Sequence, residues 1–404
     1  MALTLRVKAS FRSFKVLARL RAISLRGQEK STFLSACASR VSTHADRVKR
    51  ALGAVYNIRK QAKINLESVL LNGLEILRDP RGVFTAALSD DYNACWMRDQ
   101  LYANFAYYYL GDLVKFKQGI RIVFNMLENS KQKIEDAVCN VPRETHDYIH
   151  AKFSADTLGE ITNNWGHHQV DAIGLFLYVV GFAHERGINV VETEADTEMV
   201  QLLVNYLTTI RYWEAHDNGM WEEWQEPHAS SIGAALAGLK KIKAEKLAVV
   251  SQSLIKHGET ALLNLLPKET PVRDQDMAQL SLIWPYRVVS DEMRDEILNR
   301  VTQNLVQSKG LNRYLNDDYY RSDNGVSAEW TMGFFWLSII YSEMNLKHDA
   351  EYWFNHGIST MTPEGLLPEL YQNGLPNKNT PLGWSHSLAL IAQKKLKKNG
   401  VHIS

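Results

Sequence analysis

The chain has 404 residues, 45% hydrophobic and 23% charged, a globular composition with ample length for a large core. Its 46 Lys and Arg against 45 Asp and Glu leave a formal net charge of +1, which removes any overall electrostatic case for nucleic acid or a membrane surface and points to a neutral substrate. Three scattered cysteines, Cys37, Cys95 and Cys139, form no disulfide framework or thiolate cluster, and no apolar run reaches the roughly 18 residues of a membrane-spanning helix.

In chain order, residues 1 to 28 come first, with seven basic side chains from Arg6 to Arg26 and no acid. Basic residues interrupt "FKVLARLRAISL", so the apolar centre of a secretory signal is missing, although an organelle presequence has the same composition. The expectation is a basic extension over residues 1–50, helical or partly disordered, ahead of one domain over 51–404 in a cytoplasmic protein. Apolar segments of helical period follow: "LYANFAYYYLGDL", "VDAIGLFLYVVGFA", "SIGAALAGLKKI", "TMGFFWLSIIYSEM" and "HSLALIAQKKLKK". Ser230 or Ser231 is a predicted cap for the third, and the last ends in lysines before Gly400. Alternating strand patterns are scarce, so the fold class is all-α.

Trp96, Trp165, Trp221, Asp276, Trp330 and Trp384 each lie near the start of an apolar helical segment, at intervals of 69, 56, 55, 54 and 54 residues. About 55 residues accommodate two helices and two connections, which predicts six helical hairpins. The segments after the markers are apolar nearly all round, as inner helices of a closed double ring must be. Their N-termini would then converge on one pocket.

The same helix entrances carry the chemistry. "DDYNACWMRDQLYANF" supplies Trp96, Arg98 and Asp99; the plain alternative makes Asp99 a helix cap paired with Arg98. "NNWGHHQVDAIGLFL" supplies Trp165, Gln169 and Asp171. His167 and His168 lack the partners of a metal site and read as solvated loop residues, as His146 and His150 lack a third ligand; no metal or cofactor is expected. "NGMWEEWQEPH" sets Glu222 and Glu223 between Trp221 and Trp224, a pattern suited to a sugar, whose apolar face meets indoles and whose hydroxyls meet carboxylates. Arg313, Asp317, Glu329 and Trp330 follow, then Glu369 in a loop rich in Gly and Pro, and Trp384.

Together, Trp-x-Arg-Asp at 96 to 99, Trp-Gly-x-x-Gln-x-Asp at 165 to 171, Trp-Glu-Glu at 221 to 223, Arg-Tyr-x-x-Asp-x-Tyr-Tyr at 313 to 320, Pro-Glu at 368 to 369 and "TPLGWSHSLALIA" resemble glycoside hydrolase family 15, the glucoamylase family. "WGHHQVDAIGLFLYVVG" and "AEWTMGFFWLSIIYSEM" look closer to its branch of phosphorylase kinase regulatory subunits. The resemblance implies an (α/α)6 toroid, with Glu222 as general acid and Glu369 as general base. It also implies a terminal glucose held by Arg98, Asp99, Trp165, Glu223 and Arg313, with Trp96, Gln169, Trp221, Asp317, Trp330 and Trp384 completing the pocket. Burial of Glu222 against Trp221 and Trp224, beside the charge of Glu223, would keep it protonated. The implied activity is inverting release of glucose from non-reducing ends of α-glucans or maltooligosaccharides. Trehalose or another α-glucoside is the nearest alternative substrate, and a silent glycan-binding or regulatory module is the rival of another class. The sequence leaves the oligomeric state open.

Overall fold

The structure, a computed structural model, describes residues 65–163 and 165–401. The expected N-terminal extension and its boundary near residue 50 lie outside the described residues.

Six segments are buried on almost every side. They are α2 (Met97–Leu110), α5 (Val170–Glu185), α7 (Ala229–Ala244), the 3-10 turn Met277–Gln279 with α9 (Leu280–Ile283), α11 (Met332–Glu343) and α13 (Gly383–Lys398). Each packs on the next, and α13 packs back on α2, which closes the ring. Outside them stand α1 (Leu66–Glu75), α3 (Leu113–Asn129), α6 (Glu194–Thr209), α8 (Gln252–Leu265), α10 (Asp291–Asn304) and α12 (Lys347–Ile358), each with only one face buried. A further short helix, α4 (Lys131–Cys139), packs on α6. The fold is the (α/α)6 toroid that the sixfold spacing predicts.

Small residues set the tightest inner contact. A Cβ on Gly174 of α5 would stand 2.4 Å from the backbone of Ala234 and Ala235 in α7, so the two helices touch main chain to main chain. The fourth inner helix is short for a sequence reason. The Trp284 N–H still bonds to Leu280, but Pro285 has no N–H with which to continue. Asp276, the one marker that is not Trp, caps its first turn through the Ala278 N–H and exchanges bonds with Gln279. The seam between last and first hairpins is held by Ser387 Oγ donating to the Tyr102 carbonyl and by Trp384 stacking on Tyr102 at 4.5 Å.

Short strands sit where the chain enters the inner helices. β1 (Cys95–Trp96) pairs antiparallel with β2 (Lys152–Phe153) and runs directly into α2. β3 (Glu329–Trp330), just ahead of α11, pairs with β4 (Leu370–Gln372), which pairs with β5 (Leu375–Pro376). The predicted cap of α7 is corrected: His228 holds the N-cap position, while Ser230 and Ser231 lie inside the first turn. Their hydroxyls donate to the buried carboxylates of Glu269 and Asp217.

Candidate active site

At the entrance to α2, Trp96 occupies the N-cap position without a side-chain bond, and Asp99 lies in the first turn. Asp99 is therefore not the cap, and Arg98 does not bond to it. The buried Arg98 reaches sideways, donating to Asp171 at 2.9 Å, to Gln169 at 3.0 Å and to Glu222 at 3.2 Å. Three inner-helix entrances are thereby tied to one guanidinium.

Glu222 sits on the loop before α7 at φ +63°, a left-handed conformation that costs a non-glycine residue free energy and that clusters at functional sites. Reciprocal main-chain bonds between Asp217 and Glu226, and the Glu223 N–H to the Asn218 carbonyl, hold this loop shut at its base. Its second oxygen accepts the Trp165 indole N–H at 2.8 Å. Lys152, from β2, lies between Trp96 and Trp165 with Nζ 4.5 and 4.6 Å from the two rings.

The neighbouring carboxylate has different company. Glu223 accepts from Arg313 at 2.6 Å, from Arg273 at 3.1 Å and from the Tyr314 hydroxyl at 2.8 Å. Arg313 also pairs with Asp317 through two bonds of 2.7 Å. Arg273 reaches Asp276, which accepts the Trp221 indole N–H at 2.8 Å. Aromatic rings from Trp221, Trp330 and Tyr319 surround the Arg313 guanidinium.

Glu369, one residue before β4, is almost wholly buried. One oxygen accepts the Tyr92 hydroxyl at 2.8 Å, and the other accepts the amides of Asn377 and Asn379, each at 2.6 Å. The Thr331 N–H bonds to its carbonyl, which ties it to the β3–α11 junction.

Burial pushes the Glu222 carboxyl up, opposed by Arg98, Trp165, Gln169 and Lys152. Burial raises Glu369 too, opposed by its three donors. Asp99 is pushed up to about 7 by burial, and both Glu222 and Glu369 add to that rise despite Arg98. Asp99 and Tyr92 both feel the two glutamates, so these four side chains share one electrostatic neighbourhood.

The expected reason for the shift in Glu222 is corrected. Trp224 is 81% exposed and gives no burial, while two guanidiniums balance the Glu223 charge. His167 and His168 are likewise not solvated: they are buried, stacked on His150 at 3.7 Å and on Tyr148 at 3.8 Å, and so anchor the loop that carries Trp165. Among the described residues no group of three or more His, Cys, Asp and Glu side chains is placed to hold a metal ion. Trp330 and Trp384 are also buried, Trp384 with its ring 5.9 Å from the Arg98 guanidinium.

The structure thus brings Arg98, Asp99, Trp165, Gln169, Trp221, Glu222, Glu223, Arg313, Asp317, Trp330, Glu369 and Trp384 to the end of the ring where inner helices begin, with Trp96 beside them. Sequence reasoning missed Tyr92, Lys152, Arg273, Tyr314, Asn377 and Asn379. Two of these had a legible signal: Tyr92 lies four residues before Trp96, and Tyr314 inside the Arg-Tyr motif. The amides of "NGLPNKN" carried none.

Residues 60–257 match the family model described as glycosyl hydrolases family 15. The chain is 26% identical over 304 residues to a probable phosphorylase b kinase regulatory subunit alpha of Caenorhabditis elegans, covering 61% of this chain and 24% of that one. A liver isoform of that subunit from Mus musculus is 27% identical over 272 residues, covering 57% and 22%. The chain thus spans about a quarter of the length of these relatives. An uncharacterized glycosyl hydrolase of Methanocaldococcus jannaschii is 24% identical over 376 residues, covering 83% and 55%. Among solved structures, a wild-type glycosidase superposes with TM-score 0.71 at 19% identity, covering 82% of this chain and 97% of the other. A bacterial glucoamylase complexed with acarbose gives TM-score 0.60 at 14% identity, covering 82% and 56%.

Proposed function

For a chain similar in sequence to glycosyl hydrolases of family 15 and folded as their (α/α)6 ring, we propose an inverting exo-glycosidase that removes glucose from the non-reducing ends of α-glucans. The observation that carries this reading is a pair of carboxylates, Glu222 half-buried and Glu369 buried, each on its own loop with its own donors and both acting on Asp99 and Tyr92.

The terminal sugar enters beside Arg98, Asp99 and Arg313, which hold its hydroxyls. Glu222 gives its proton to the glycosidic oxygen, which is a poor leaving group without it. Glu369 takes a proton from the water that attacks the anomeric carbon from the opposite face, and inverting enzymes separate the two carboxyls by about 6.5–9.5 Å for that water. Glu222 has the right bias, since burial outweighs its cation and favours the protonated form. Glu369 has three donors to its charged form and no cation bonded to it, which fixes its orientation while leaving it basic.

A second reading, a silent glycan-binding or regulatory module, draws on the Arg98–Glu222 contact, which favours the ionised acid, and on the names of the relatives. One assay separates them. Purified protein is incubated with maltose, maltoheptaose, isomaltose and trehalose, and released glucose is followed by NMR. The expected first product is β-glucose. Initial α-glucose would contradict inversion, and absence of turnover on every glucoside would transfer the assignment to the binding module.

A further inference from the structure

His228 takes no part in the chemistry above, yet it is buried beneath the loop that carries Glu222. It holds the N-cap position of α7 without using its side chain as a cap. A Cβ on Gly219 would stand 2.8 Å from its ring, so the imidazole lies against the Gly219 backbone with no side chain between them. Gly219 is at φ +61°, and its carbonyl accepts the Glu222 N–H at 3.3 Å. The ring thus supports the turn that sets Glu222 in its left-handed conformation.

The same ring has charged company. Its Nδ1 lies 3.6 Å from Oε1 of Glu269, a carboxylate 1% exposed that also accepts the Ser230 hydroxyl and main-chain N–H. Asp217, equally buried, begins the Glu222 loop and accepts from Ser231 Oγ at 2.8 Å and from the Val170 N–H at 2.9 Å. Two carboxylates this deep are costly without a cation. Burial works against a charge on His228, but Glu269 and Asp217 outweigh both burial and the repulsion of Arg273, and raise the imidazole to about 9. The ring is therefore a cation at neutral pH. Glu269 also bonds main chain to main chain with Ala229 and with Arg273, whose guanidinium holds Glu223. One cation thereby joins the floor of the Glu222 loop to the segment that fixes its neighbour.

Resting on the exo-glycosidase reading, we propose that His228 is a positioning residue for proton transfer: paired with Glu269 and packed under Gly219, it holds the loop that aims the Glu222 carboxyl at the glycosidic oxygen. It acts through the Gly219–Glu222 turn and not on the substrate. A remote change that misplaces a catalytic group by about 1 Å costs up to about 10² in rate. A proton donor matters only where the leaving group needs a proton, so the loss should depend on the leaving group.

The test compares kcat on maltoheptaose and on α-glucosyl fluoride, whose fluoride departs without a proton, for the natural protein and His228→Gln. The paired variant His228→Gln with Glu269→Gln leaves no uncompensated charge at position 269 and serves if the single variant does not fold. The expected result is a fall of about 10 to 10² on maltoheptaose with little change in KM, and a fluoride rate that is kept. Equal losses on both substrates, or no loss on either, overturn the positioning role. Amide hydrogen exchange read by mass spectrometry gives a measure that needs no turnover. Exchange over residues 217–226 should quicken in the variant while exchange over 369–379 stays as in the natural protein. If the natural protein cleaves neither substrate, the hydrolase reading fails on its own and this exchange decides the brace. Faster exchange confined to 217–226 supports it, and unchanged exchange, or a rise in both segments, overturns it.

Discussion

The loops that carry the half-buried Glu222 and the buried Glu369 solve opposite problems. The first bends into a left-handed backbone and sets its carboxylate against a cation, Arg98, and an indole N–H. The second runs into a small sheet and surrounds its carboxylate with neutral donors, Tyr92, Asn377 and Asn379. The difference shows that burial alone does not define an acid or a base. What distinguishes the two is the charge of their donors, a guanidinium at Glu222 and only neutral groups at Glu369.

The sharpest way to break this comparison is to remove each carboxylate in turn. Glu222→Gln and Glu369→Gln should each lower kcat on maltooligosaccharides by about 10² to 10⁴ with little change in KM. They should part company on α-glucosyl fluoride, whose leaving group needs no proton. Glu222→Gln should regain most of its rate there, and Glu369→Gln should stay slow. Equal recovery of both variants would show that the roles are wrongly divided.

A second effect concerns stability. Arg98 is buried between Asp171 and Glu222, so Arg98→Met leaves Asp171 without its cation in the interior. Breaking such a pair costs about 3–5 kcal/mol, read as a lower denaturation midpoint in urea. Asn379→Ala leaves no comparable charge behind, and its loss should be smaller.

The pH profile sharpens the contrast at the scale of a single hydrogen bond. Both carboxyls are raised by burial, so the bell of kcat/KM should lie above the ordinary carboxylate range. Under the proposed roles its acid limb would report Glu369. Removing a donor to the charged form raises that group further, so Asn377→Ala or Asn379→Ala should move the acid limb to higher pH by about one unit. The alkaline limb, assigned to Glu222 under the same proposal, should stay in place.

The smallest effect is the slope of stability with pH. Asp99 is raised to about 7 in the folded chain, so the native state holds a proton that the unfolded chain has released. Its contribution is fully present below the unfolded pKa and is lost as pH rises from about 4 through about 7. Asp99→Asn should flatten the stability profile in that window, as measured by urea midpoints at several pH values. An unaltered slope would place Asp99 in water and out of the shared neighbourhood of the two glutamates.

Much of the ring was legible before any coordinates. Helical period, all-round apolarity and an interval near 55 residues are properties of the chain, since they report which faces must be covered and how much chain a hairpin consumes. Asp276 shows how far this reaches: a marker chosen for its spacing is the cap of the fourth inner helix. Local patterns misled where the partner was remote. Trp224 looked like the cover of Glu222 because it is two residues away, yet the turn leaves it in water. His167 and His168 looked solvated because they are polar, yet His150 and Tyr148 cover them.

Legible in the sequence were the sixfold spacing of the inner segments, their apolar faces and the residue types brought to their entrances. Only the tertiary structure decided the pairings: Arg98 with Glu222 across 124 positions, Arg313 with Glu223 across 90, Tyr92 with Glu369 across 277. Periodicity records the neighbours a residue has within its own element. These contacts arise from closure of the ring, which brings together ends of helices that the chain itself keeps far apart.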